Sequence, residues 1–157
     1  YLKEAKELTL IIKKFNDEGG ELRQYPMHRD NGAENVLWKN GEISGIIDFD
    51  NVSLSNDILV KDLAIAIQRI LASDAGVIDL KKAKYFIEEY RKIRKLSIEE
   101  VELIPKLIVA SYVDDFNYSY WLFINDPNRG RVKWIKENAE AAKRVWKDRE
   151  MIKKKLI

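Results

Sequence analysis

The chain has 157 residues, of which 46% are hydrophobic and 34% are charged. This length suits one globular domain, the composition excludes a disordered tail, and no apolar run approaches the roughly 18 residues of a membrane-spanning helix. Cysteine is absent, which excludes disulfides, thiolate metal sites and cysteine nucleophiles. We therefore expect a cytoplasmic protein without a membrane partner.

Charge is unevenly distributed along the chain. The net charge is +2, but residues 131–157 carry +6 and the first 130 residues carry −4. The basic end allows an alternative reading as a helical nucleic-acid-binding or protein-interaction domain. No groove-reading motif accompanies it, so nucleic acid is the weaker choice of partner. The chain begins with Tyr1, which indicates a piece of a longer protein.

Hydrophobic periodicity predicts one helix, a small β element and then four helices. Apolar residues at helical spacing predict the first helix over residues 2–15. Two β-prone segments, residues 35–39 and 42–49, flank Asn40-Gly41, a pair typical of tight hairpins because both turn residues take positive φ. The four later helices are predicted over residues 57–72, 79–94, 97–123 and from about residue 131. The predicted fold class is mainly α with a small β-hairpin.

Local signals mark the helix ends. Asp57 is placed to cap the second predicted helix, and the Ser97-Ile98-Glu99-Glu100 segment is a capping box that opens the fourth. Pro105 falls inside that helix, where it is either tolerated or marks a kink. The last helix has an apolar stripe with Lys and Arg between, which is typical of an amphipathic surface helix.

One pattern of polar residues is typical of a catalytic site. His28-x-Asp30 is followed by Asn35, by the hairpin and then by Asp48. The hairpin folds its second strand back, so Asp48 is expected beside Asn35, with Asp30 a few ångströms away. Asn35 and Asp48 supply the hard oxygen ligands that Mg²⁺ prefers, and Asp30 is a candidate base for an attacking hydroxyl. Asp30 alone would read as a turn residue, and a single His in a loop usually serves to hold it.

This pattern resembles the protein-kinase-like fold, and most closely the aminoglycoside phosphotransferase and choline kinase superfamily. The resemblance runs from His28 through Ile47-Asp48-Phe49 to Asp62-Leu63-Ala64. It implies a kinase that uses ATP, or another nucleoside triphosphate, and Mg²⁺ to phosphorylate a small-molecule hydroxyl. Asp30 would be the base, while Asn35 and Asp48 would bind Mg²⁺ and the nucleotide. His28 would support the catalytic loop, and Asp62 would accept hydrogen bonds from the backbone around His28 and Arg29.

Differences from the protein-kinase pattern narrow the choice of subfamily. Protein kinases carry Lys where this chain has Gly32 and Asp-Phe-Gly where it has Asp48-Phe49-Asp50, so a protein kinase is the weaker reading. No glycine-rich loop or phosphate-binding Lys precedes His28. The resemblance therefore implies that residues 1–157 are one domain, the C-terminal lobe, and that the N-terminal nucleotide lobe is absent. Such a lobe is expected to be inactive alone and to self-associate through the face left exposed; a non-catalytic kinase-like binding module is the alternative.

The acceptor is not named by the sequence. Aminoglycosides, choline, homoserine, sugars and peptide hydroxyls all remain open. Candidate substrate-binding residues are Asp50 and an acidic, aromatic stretch that includes Asp114, Asp115 and Trp121, which would suit a cationic group. The plainer interpretation of that stretch is that its aromatic side chains are core residues and its acids are solvated.

Overall fold

A computed structural model describes residues 24–126 and 132–157. Within them the mainly α class with a small β element is confirmed. The predicted helix over residues 2–15 lies outside the described residues. The elements, in chain order, are the strands β1 (Gln24–Met27), β2 (Val36–Lys39), β3 (Glu42–Ile46) and β4 (Ser53–Ile58), then the helices α1 (Val60–Leu71), α2 (Leu80–Ile93), α3 (Ile98–Asn125) and α4 (Val132–Leu156).

The predicted hairpin is confirmed as the antiparallel pair β2–β3. Val36 lies opposite Ile46 and Lys39 lies opposite Glu42. Asn40 and Gly41 connect the strands with φ values of 55° and 82°, the left-handed conformation that a two-residue turn requires. The turn sets the register of the residues next to it, and an irregularity between Leu37 and Trp38 shifts the pairing before the end of β3 reaches the start of β2.

A second strand pair was not predicted. Strand β1 pairs antiparallel with β4, with Gln24 opposite Ile58 and Met27 opposite Ser53. The expectation that Asp57 caps a helix is wrong, because Asp57 lies in β4 and α1 begins three residues later. The backbone groups of this segment bond to a strand some thirty residues away, and that distant partner overrides the local capping signal.

The core is built around α3, whose capping box is confirmed. Ser97 Oγ accepts from the Glu100 amide at 3.2 Å, and the Glu100 carboxylate accepts from the Ser97 amide at 2.9 Å. The helix continues without interruption through Pro105. Its buried side chains pack against α1 and α4, and each large one stabilises the fold by about 1.5–3 kcal/mol. The largest of them include Ile104, Leu107, Ile108 and Phe116.

Helix α4 is amphipathic, as predicted. Its buried residues follow a helical stripe, while Lys153 reaches across to Glu102 on α3 with an Nζ–Oε1 distance of 3.0 Å. The basic residues of this helix thus lie mostly on its outer side. No described helix is both long and apolar enough to cross a membrane.

Candidate active site

The loop between β1 and β2 is held by the first turn of α1. The Asp62 carboxylate accepts the backbone N–H groups of His28 at 2.9 Å and Arg29 at 2.8 Å, one on each oxygen. The Asn31 side chain also donates to the Asp62 carbonyl at 3.3 Å. Arg29 has φ of 65°, a conformation that costs a residue with a side chain about 1–2 kcal/mol. The bonds to Asp62 hold the loop in this shape.

The His28 ring connects this loop to the end of β3. Its Nδ1 accepts from the Asp30 amide at 3.3 Å, and its Nε2 lies 2.9 Å from the Ile47 carbonyl oxygen. Because Nδ1 accepts, we assign the hydrogen of the neutral ring to Nε2, which donates to Ile47. The ring also packs against Phe49, with 4.6 Å between ring centroids. His28 thus sets the spacing between Asp30 and the segment that carries Asp48.

Asn35 and Asp48 are brought together at the open end of the hairpin. The Asn35 carbonyl oxygen accepts the Ile47 amide at 3.0 Å, directly before Asp48. Asn35 is buried, and its side-chain nitrogen donates to the Asp30 carbonyl at 2.9 Å. Asp48 is exposed and adopts φ 64° and ψ 61°, so the backbone turns sharply there. These two hydrogen bonds therefore link the segments that carry Asp30, Asn35 and Asp48.

The donor chemistry of this pair fits Mg²⁺. The nitrogen end of the Asn35 amide is engaged with Asp30, so its oxygen is the end that a cation would bind. Asp48 supplies a carboxylate. Among the described residues no group of three or more His, Cys, Asp and Glu is placed to hold a metal ion by itself. A pair of this kind suits Mg²⁺, which commonly takes one or two protein ligands and completes its shell with phosphates and water.

Asp30 opens into a cleft of about 470 Å³ between the loop, α1 and α3. Its Oδ1 atom is buried and has no hydrogen-bond partner within the described part of the chain. The Arg69 guanidinium is close to it, with Nη2 at 3.5 Å from that oxygen. The remaining lining residues are Arg29, Asn51, Lys61, Ile65, Ser111, Asp114, Asp115 and Tyr118.

Two of the four candidate substrate-binding residues line the cleft, and two do not. Asp114 and Asp115 line the cleft with Asp30. Asp50 lies exposed in a short 3₁₀ turn beside the cleft residue Asn51, and Trp121 lies on α3 with 58% of its surface exposed; neither lines the cleft. Two helical turns separate Asp114 and Asp115 from Trp121, which places Trp121 beyond the end of the cleft.

The sequence did not predict the two cationic residues that line the cleft from α1. Lys61 and Arg69 line the cleft from α1, together with Ile65. These positions are four residues apart, so they share one face of the helix. The four-residue spacing could have indicated a shared helix face from the sequence. It indicates a cleft-lining face only when the structure shows that α1 faces the loop.

Burial raises the pKa of two groups on α3, Asp115 in the cleft and Tyr112 about one helical turn before it. Burial raises the pKa of Asp115, against the opposing effect of the Arg69 charge and of a hydrogen bond from Gln68. Burial likewise raises the pKa of Tyr112 to about 12, and the negative charge of Asp115 adds to this effect. The wall of the cleft formed by α3 is therefore a poorly solvated environment.

Comparison with known proteins agrees with this geometry. Residues 3–96 match the model of the Phosphotransferase enzyme family. Similar proteins include the homoserine kinase of Neisseria meningitidis serogroup B, 32% identical over 119 residues, which are 76% of this chain and 38% of that protein. The homoserine kinase of Rhizobium meliloti is 30% identical over 107 residues, covering 68% of this chain and 31% of that protein.

A third similar protein, the homoserine kinase of Agrobacterium fabrum, is 33% identical over 81 residues, which are 52% of this chain and 24% of that protein. The chain therefore spans between about a quarter and two fifths of the length of these relatives. The family match covers more than half of the chain and includes the whole loop, the hairpin and α1. On this evidence the chain belongs to the Phosphotransferase enzyme family.

Proposed function

We propose that the protein transfers the γ-phosphoryl group of ATP to the hydroxyl of a small amino acid such as homoserine. The observation that carries this proposal is the position of Asp30 in the cleft, with one carboxylate oxygen, Oδ1, buried without a hydrogen-bond partner among the described residues and the side chain as a whole 20% exposed. An acceptor hydroxyl in the cleft would donate its hydrogen bond to the accessible part of this carboxylate. Family membership and the names of the similar proteins support the same reaction class.

The described residues would divide the chemistry as follows. Asp30 takes the hydroxyl proton as the acceptor oxygen bonds to the γ-phosphorus and the bond from that phosphorus to the bridging oxygen of the nucleotide breaks. Asn35 and Asp48 would hold Mg²⁺, which when bound neutralises charge on the phosphates. His28 and Asp62 hold the loop so that Asp30 and Asn35 keep their spacing.

The charge of the cleft favours a zwitterionic acceptor. Its lining contains the acids Asp30, Asp114 and Asp115 and an equal number of bases, Arg29, Lys61 and Arg69. An aminoglycoside or choline carries only positive charge and would be served best by an excess of acids. An amino acid carries an ammonium and a carboxylate, so it can find a partner for each. This balance supports homoserine among the acceptors that the sequence leaves open.

We further propose that these residues form the C-terminal lobe of a two-lobe enzyme working in the cytoplasm. Phosphoryl transfer needs groups on both sides of the phosphates, and the described residues supply a base and a metal pair on one side. The hairpin also exposes large apolar side chains, including Trp38 at 64% and Ile43 at 61%. A nucleotide lobe that covers this hairpin would account for their exposure.

The test uses the full-length protein with labelled ATP, Mg²⁺ and three acceptors: homoserine, choline and kanamycin. We expect phosphorylated homoserine, and we expect Asp30→Asn to slow its formation by about 10²- to 10⁴-fold, the usual loss on removing a general base. Asp48→Ala should abolish Mg²⁺-dependent nucleotide binding. Asp79→Asn is the matched control, since Asp79 caps α2 outside the cleft and its carboxylate makes no contact with the site.

Each outcome decides a separate part of the proposal. A wild-type rate in Asp30→Asn would remove Asp30 from the role of base. Transfer to choline or kanamycin without transfer to homoserine would contradict the zwitterionic acceptor. Nucleotide binding without transfer to any acceptor would favour a non-catalytic binding module.

A further inference from the structure

Arg69 contacts two carboxylates that come from different parts of the chain. Its Nη2 lies 3.1 Å from Asp115 Oδ1 on α3 and 3.5 Å from Asp30 Oδ1 on the loop. The three side chains are between 20% and 34% exposed, so water screens their charges only in part. Arg69 is thus a bridge between the candidate base and the opposite wall of the cleft.

Asp115 is itself fixed from behind. Its second oxygen, Oδ2, accepts from Gln68 Nε2 at 3.3 Å, and Gln68 Oε1 accepts from the Ser111 hydroxyl at 3.3 Å. Gln68 and Ser111 are both buried. Because Ser111 occupies the oxygen end of the Gln68 amide, the nitrogen end must face Asp115. One connected set of polar contacts thus joins Ser111, Gln68, Asp115 and Arg69.

The contacts that Arg69 makes with Asp115 and with Asp30 are of different kinds. The contact with Asp115 is a charge-assisted hydrogen bond, whereas the 3.5 Å contact leaves Asp30 Oδ1 without a hydrogen bond. Arg69 therefore places positive charge beside the buried Oδ1 atom of Asp30 and leaves the accessible part of the carboxylate for an acceptor hydroxyl. If Asp115 did not hold the guanidinium, Arg69 would be drawn fully onto Asp30 and would compete with the acceptor for that carboxylate.

We propose that Arg69 is a positioning residue for phosphoryl transfer, held by Asp115 and Gln68 at a distance where it orients the Asp30 carboxylate without blocking it. This inference rests on the proposed function, because it takes Asp30 as the base. The other charged groups lining the same cleft are Arg29 and Lys61 on the loop and α1 and Asp114 on α3.

The experiment measures kcat and KM for homoserine in the full-length enzyme. Arg69→Met should lower kcat by about 10- to 100-fold, the scale of a misplaced reacting group, while KM changes by less than about threefold. Arg69→Lys should restore only part of kcat, since an ammonium has one point of charge and cannot serve both carboxylates as a guanidinium does. The lysine variant also keeps the test open if Arg69→Met does not fold.

A double-mutant comparison tests the route through Asp115. Asp115→Asn alone should lower kcat, because Arg69 then closes onto Asp30. Adding Asp115→Asn to Arg69→Met should change kcat little further, because Asp115 acts through Arg69. The matched control is Arg94→Met, which removes another arginine from a short ion pair, Arg94–Glu100 at 2.6 Å, outside the cleft. It should lower the melting temperature and leave kcat unchanged.

The outcomes separate this inference from the proposed function. An inactive Asp30→Asn together with a wild-type kcat in Arg69→Met would overturn the role of Arg69 and leave the function standing. Fully additive losses in Arg69→Met and Asp115→Asn would also overturn it, since the two residues would then act separately. A wild-type rate in Asp30→Asn would instead overturn the proposed base and the inference with it.

Discussion

At the scale of one residue, the buried carboxylate of Asp115 makes the stability of the fold depend on pH. Burial of its carboxylate raises the pKa of Asp115, and Arg69 and Gln68 offset part of that rise. The folded protein therefore binds the Asp115 proton more tightly than the unfolded chain, whose Asp has an ordinary pKa of about 3.9. Between those two pKa values the folded state carries more protons, so the contribution of Asp115 to stability falls as pH rises.

We accordingly predict that Asp115→Asn gains stability relative to the wild type as the pH is raised from about 4 towards 7. Urea unfolding of the full-length protein at several pH values measures this. Asp79→Asn is the control of opposite sign, since hydrogen bonds from the Lys82 backbone and side chain lower the pKa of Asp79. That variant should lose stability relative to the wild type as the pH rises through the range below about 4, because the lowered pKa of folded Asp79 and its ordinary unfolded pKa both lie in that range. Parallel pH curves for wild type and Asp115→Asn would contradict the prediction.

At the scale of elements, the turn between α1 and α2 is pressed against α4. Gly76 has φ of 73°, and its amide donates to the Ser73 carbonyl at 2.8 Å. A Cβ atom at Gly76 would lie 2.7 Å from the Cα of Ala141 and 2.9 Å from its carbonyl oxygen. These are backbone atoms of a helix and cannot move aside without moving α4. Glycine at this position therefore permits the close packing of the turn on α4.

We predict that Gly76→Ala lowers the free energy of unfolding by about 2–4 kcal/mol, the sum of a left-handed conformation and an overpacked contact. Gly41→Ala is the matched control: Gly41 has φ of 82° but no atom within 4 Å of its added Cβ, so only the conformational cost of about 1–2 kcal/mol applies. Chemical denaturation of the two variants gives the comparison. Equal losses would show that α4 yields to the added methyl group.

At the scale of the whole molecule, the proposed base, the proposed metal ligands and the proposed acceptor cleft all lie within the described residues. Catalysis of phosphoryl transfer depends mainly on positioning and on charge stabilisation around the phosphates. The groups described act from one side of that reaction. The chain spans only between about a quarter and two fifths of the relatives compared above, so we expect the nucleotide to be held largely by residues beyond it.

We predict that purified residues 1–157 show no Mg²⁺-dependent turnover of ATP, and that mixing them with a separately expressed upstream segment restores it. The assay compares the chain alone, the segment alone and the mixture, with Asp30→Asn in the mixture as the control for catalysis by this site. Substantial turnover by residues 1–157 alone would overturn the two-lobe proposal.

The sequence was sufficient for features that are local along the chain. Asp30, Asn35 and Asp48 lie within nineteen residues, so their pattern can be recognised without the fold, and the Asn40-Gly41 pair predicts the hairpin turn that the structure contains. The capping box at Ser97 is equally local, because all its hydrogen bonds are made within four residues. Such features need only backbone geometry and neighbouring side chains, so the sequence predicts them directly.

Tertiary structure alone decided the contacts made across the chain. Strand β4 exists because β1 pairs with it, and without that partner Asp57 reads as a helix cap. Arg69 and Asp115 are 46 residues apart, and nothing in either local sequence links them or ties either one to Asp30. Their meeting depends on how α1 packs against α3, which is set by burial of the whole core, and no local pattern encodes that packing.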